Sequence, residues 1–149
     1  MRPLPRIVTA AVASTALVAA GALTTVPALA ASDSLVVNEV YGGGGNSGAT
    51  LTNDFIELQN RGTAAVALDE WSVQYHSSSA TGSWQATKLT GTIQPGAYYV
   101  IQEAKGAGGT VALTPDATGT IAMSATAGTV ALVHSTSALT CSDSAACAA

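Results

Sequence analysis

The chain has 149 residues, with 5 basic against 9 acidic side chains, and that length fits one domain. An acidic surface repels a phosphate backbone, so nucleic-acid binding by this domain alone is disfavoured. No cluster of Lys and Arg marks a reader of anionic membranes either.

The N-terminus reads as an export signal. MRPLPR carries Arg2 and Arg6, a run of 17 apolar or small residues occupies positions 7–23, and Ala28-Leu29-Ala30 supplies small residues at a cut. A positive flank, an apolar middle and an A-x-A site predict a secretory signal peptide over residues 1–30, cleaved between Ala30 and Ala31. A membrane anchor fits less well, because the run is short, rich in Ala and followed by Pro27. The expected product is secreted, extracellular or associated with the cell surface, and has no hold on the membrane after cleavage. Removing residues 1–30 takes away Arg2 and Arg6, which leaves three basic and nine acidic residues and a formal charge of −6.

Beyond the cut, the pattern is that of strands. LVVNEVY (35–41) is β-branched and runs into glycines. NDFIELQN (53–60) alternates, with Ile56 and Leu58 on one face and Phe55, Glu57 and Gln59 on the other. AAVAL (64–68) follows a turn, Asp69-Glu70 makes a tight connection, and WSVQYH (71–76) alternates with Trp71, Val73 and Tyr75 predicted inward. SSSATGS (77–83) is loop by composition, and WQATKLTG (84–91) is a further strand. Pro95-Gly96 suits a type II turn ahead of the strand AYYVIQ (97–102). A loop follows, with a short strand predicted at TVAL, and then strands at GTIAM (119–123) and GTVALVHS (128–135). Seven or eight short strands between Gly, Pro and Ser turns predict an all-β, antiparallel β-sandwich over residues 31–140, with 141–149 as a C-terminal tail.

The loop Gly43-x-Gly45-x-x-Gly48 matches a dinucleotide fingerprint, but a strand follows it where a phosphate site needs a helix N-terminus. It is expected to be a flexible connection between strands. Cys141 and Cys147 are expected to pair in an oxidising compartment; a metal pair would lack a nearby His.

Candidate sites are few. Glu39, Asp54 and Glu57 form the densest acidic set. They are candidates for Ca²⁺, or alternatively carboxylates that accept backbone N–H bonds; no other cofactor is expected. His76 and His134 are the only histidines, His76 is expected at an exposed strand end, and no nucleophile motif accompanies either. Trp84, if exposed beside Tyr98 or Tyr99, could stack on sugar rings, which makes these three a carbohydrate-binding candidate. No catalytic residues are assigned, and the chain is read as a non-enzyme.

Asn38-Glu39-Val40, then Asp54, Phe55, Glu57 and Asn60, then Leu68 and Trp71, then Pro95, Gly96 and Tyr98, stand in an order that resembles the lamin-tail domain over residues 34–134. The resemblance implies an immunoglobulin-like β-sandwich. In nuclear lamins such a module makes protein and chromatin contacts. In secreted bacterial proteins it often precedes a nuclease or phosphatase domain of the endonuclease/exonuclease/phosphatase class, as an accessory or targeting module. The implied role here is binding or adhesion to a protein or extracellular polymer. Two alternatives stay open: an N-terminal accessory fragment of such a hydrolase, and a carbohydrate- or calcium-binding sandwich. In secreted relatives a further strand commonly follows the cysteine segment. By that comparison the tail is either cut short or belongs to a minimal module with one sheet edge uncovered.

Overall fold

The computed structural model describes residues 34–78, 84–141 and Cys147. The expected leader, the expected cut between Ala30 and Ala31, and most of the 141–149 tail lie outside the described residues. In chain order the strands are β1 (Leu35–Tyr41), β2 (Asn53–Asn60), β3 (Val66–Ala67), β4 (Ser72–His76), β5 (Gln85–Lys88), β6 (Thr92–Ile93), β7 (Tyr98–Lys105), β8 (Ala117–Thr118) and β9 (Thr129–Val133). One sheet has the order β1-β2-β7-β8, a second β5-β4-β9, and β3 pairs with β6. Every pairing is antiparallel except the short one between β7 and β8.

The two larger sheets close on one core, so the fold is an all-β, immunoglobulin-like sandwich. Period-2 alternation sends Ile56 and Leu58 of β2 and Ile101 of β7 inward from one sheet, and Val73 and Tyr75 of β4 inward from the other. Leu68, Leu89 and Ile93 close one end of the core. Each large side chain so buried contributes roughly 1.5–3 kcal/mol. Gly96 takes φ 74° and the Ala97 amide donates to the Gln94 carbonyl at 3.0 Å, the geometry of the type II turn that leads into β7.

A β-bulge sits in β1 between Val37 and Glu39. Val37 faces Leu58 on the core side, and Glu39 then faces Glu57 on the outer side. The extra residue shifts the alternation by one, which strict period-2 counting along β1 does not foresee.

Three expectations change. First, residues 119–123 are not a strand. Two of their amides go to side chains instead of a ladder: Ile121 donates to Glu103 Oε2 and Met123 to Asp54 Oδ2, both at 2.9 Å. TVAL likewise contributes only one bridge, between Leu51 and Val111. Second, Ser72, Gln74 and His76, expected on a solvent face, are buried. The chain after β9 folds back across them. Ser72 Oγ donates to the Ser135 carbonyl, Gln74 Nε2 donates to that of Ser137, and the Leu139 amide donates to Gln74 Oε1. This strap, residues 135–141, ends at Cys141, which is disulfide-bonded to Cys147.

Third, the 42–48 loop is not a loose connection. Gly44 and Gly45 are buried, and the Gly45 amide donates to the Leu51 carbonyl at 2.8 Å. A Cβ on Gly44 would fall on the Asn53 carbonyl, and one on Gly45 on the backbone of Gly106. The glycines are there because two stretches of backbone touch.

Candidate binding site

The three carboxylates proposed for calcium do not converge. Glu39 and Glu57 oppose each other on the outer face of the four-stranded sheet, and Glu57 Oε1 accepts a hydrogen bond from Asn38 Nδ2 at 2.7 Å. Asp54 lies on the opposite face of β2, buried, with one oxygen accepting from the Gly44 amide and the other from Met123. Asp54 therefore pins backbone, the alternative the sequence had offered. No group of three or more His, Cys, Asp or Glu suited to a metal occurs among the described residues.

Glu103 was not singled out from sequence. Its side chain is buried, Oε2 accepts from the Ile121 amide, and Oε1 has no hydrogen-bond partner. Burial pushes its pKa above the usual carboxylate range, and the nearby Asp54 charge adds to the rise. Hydrogen bonds from Thr87 and Ile121 oppose it. The signal was available: with β7 extended to Lys105, Tyr99, Ile101 and Glu103 fall on one face.

The proposed sugar platform is not assembled. Trp84 is buried, its indole Nε1 donates to the Cys141 carbonyl at 3.0 Å, and its ring packs at 5.3 Å from His76. Tyr99 is buried and its hydroxyl donates to the Thr90 carbonyl. Tyr98 alone of the three is exposed. Trp84 precedes β5 in one sheet and the tyrosines belong to β7 in the other, so no single ligand ring could reach the set. His76 is likewise buried rather than at an exposed strand end.

A different group does come together. The Trp71 amide donates to the Leu68 carbonyl at 2.8 Å, closing a turn with Asp69 and Glu70 at its tip. Ser72 of β4 pairs with Val133 of β9, and the next residues across that register are Trp71 and His134. Their rings stack at 4.5 Å with an interplanar angle of 14°. His134 Nε2 lies 3.5 Å from Glu70 Oε2. Together with Ala65, Val66 and Ala67 they line a shallow groove of about 500 Å³. A second depression of about 290 Å³, bounded by Ser135 and Thr136, shares Asp69, Glu70 and His134 with it.

The family model described as the Lamin Tail Domain matches residues 28–144. The chain belongs to the lamin tail domain family. No curated protein matches it.

In this lamin tail domain the groove is a concave surface where an aromatic ring meets carboxylates. Trp71 is half-buried, packed on the core on one side and open to the groove on the other. Such a corner can hold a ligand by stacking and by charge. His134 is stacked on the Trp71 indole, and the other histidine, His76, is buried beside Trp84. The sequence identified Trp71 only as a core anchor. The pairing with His134 depends on strand register, which residue types at positions 71 and 134 do not reveal.

Proposed function

We propose that this lamin tail domain is of the secreted type: exported behind residues 1–30, cut between Ala30 and Ala31, and used as a non-catalytic module. It holds a partner protein or extracellular polymer, the role such a module has when it precedes a nuclease or phosphatase domain. The observation that carries this reading is the match of residues 28–144 to the lamin tail domain, and the groove at Asp69, Glu70, Trp71 and His134 offers a stacking and charged surface for such a partner. The leader pattern and the acidic charge of the remaining chain support export and argue for partners other than nucleic acid.

The test is to express the full chain in a secreting host and follow the product. N-terminal sequencing should find Ala31 first in the medium or envelope fraction. The processed chain should co-sediment with the insoluble envelope, and incubation with DNA and Mg²⁺ should leave the DNA intact. An uncut Met1 terminus retained inside the cell would overturn export. Robust DNA cleavage would overturn the non-catalytic role.

A further inference from the structure

We propose that the corner formed by Asp69, Glu70 and Trp71 receives the cationic side chain of a partner polypeptide, arginine in preference to lysine, and that His134 is the resident group it displaces. This deepens the binding role proposed above and rests on it.

The argument starts from what His134 already does. A planar nitrogen heterocycle lies flat on the Trp71 indole at 4.5 Å, with its Nε2 edge 3.5 Å from a Glu70 oxygen. A guanidinium makes the same two contacts: it stacks on an aromatic face and presents N–H donors to a carboxylate in its own plane. His134 therefore marks, within the chain, the position of a ligand's planar cation. A lysine ammonium meets the carboxylate but has no plane to lay on the ring.

The surroundings agree in charge and access. Asp69 and Glu70 line both depressions, and neither lining contains a Lys or Arg to neutralise them. Asp69 is held in place, with one oxygen accepting from the Gly91 amide at 3.3 Å. The side chains of His134 and Glu70 are 59% and 85% exposed, so His134 can turn out into water without uncovering the core. It lies just past the last β9 residue, Val133, so its departure breaks no ladder bond. The second depression adds Ser135 and Thr136 beside the shared carboxylates, polar groups for the peptide on which the arginine is carried.

The test uses the chain from Ala31 to Ala149 and a capped Gly-Gly-Arg-Gly-Gly peptide, followed by NMR chemical-shift titration. Saturable shifts should centre on the Trp71 indole N–H, Glu70 and His134. The lysine analogue should bind about threefold more weakly, and the neutral, isosteric citrulline analogue more than about tenfold more weakly. Glu70→Gln should weaken binding about fivefold. His134→Ala should tighten it about two- to threefold, because the internal competitor is gone. Glu39→Gln with Glu57→Gln, which changes charge on the far sheet, should leave affinity unchanged.

Equal binding of citrulline and arginine would overturn the proposal. So would a Glu39/Glu57 variant that weakens as much as Glu70→Gln, since attraction would then belong to the net charge. Envelope co-sedimentation that persists while the arginine peptide fails to bind would remove this corner and leave the module's binding role standing.

Discussion

Three backbone amides, those of Gly44, Ile121 and Met123, donate to the buried carboxylates of Asp54 and Glu103. These side chains take the part of strand partners for segments that have none, and each such charge-assisted bond is stronger than an amide–amide bond. Glu103 has a pKa raised by burial, so the folded state holds its proton to higher pH than the unfolded chain does. Its stabilising contribution is complete below the unfolded value of 4.5 and is lost as pH rises through the raised folded value. Glu103→Gln should flatten that slope: its melting temperature should exceed the parent's at pH 8 and not at pH 4, as thermal unfolding across pH would show. An unchanged slope would assign the effect elsewhere. Glycine positions separate in the same way. Gly44→Ala drives a Cβ into the Asn53 backbone and should cost about 3 kcal/mol, the upper range of overpacking. Gly48 has open space around it but φ +82°, so Gly48→Ala should cost about 1 kcal/mol, from backbone strain alone. Urea midpoints would rank the two. The sequence offered Asp54 as a carboxylate that might serve backbone amides, but it missed Glu103, because a glutamate in EAKGAGG looks like the start of a loop.

At the level of elements, β4 shows how one contact reverses a prediction. Alternation made Ser72, Gln74 and His76 a wet face, and the strap at 135–141 makes it a dry one. Gln74 is the main tie: it accepts from Leu139 and donates to Ser137 and to Ser72 Oγ. Gln74→Ala should cost about 2–3 kcal/mol, because it strands buried backbone groups as well as losing bonds. Hydrogen exchange would check this, with Leu139 losing protection first and the β2–β7 amides keeping theirs. Uniform loss across both sheets would mean that the strap and sandwich unfold together. Strands with a strong alternating run, β2 and β7, were legible. The two-residue strands β3, β6 and β8 exist through their partners and leave almost no periodic trace.

For the whole molecule, charge makes the clearest prediction. With three basic residues against nine acidic over residues 31–149, that part of the chain should not retard duplex DNA in a gel shift, even at low salt. Retardation that weakens with salt would contradict this. The sequence by itself determined the all-β class, the sandwich and the acidic balance, because these depend on period-2 patterning and on counting residues, and the order of its motifs carried the resemblance to the family. Only the tertiary structure decided which polar residues are buried and which aromatic ring meets water. Trp84 went inside, against the strap, and Trp71 came half out, beside His134. Burial depends on what another segment lays over a face, and register depends on how distant strands align, and neither is encoded in the local spacing of either tryptophan.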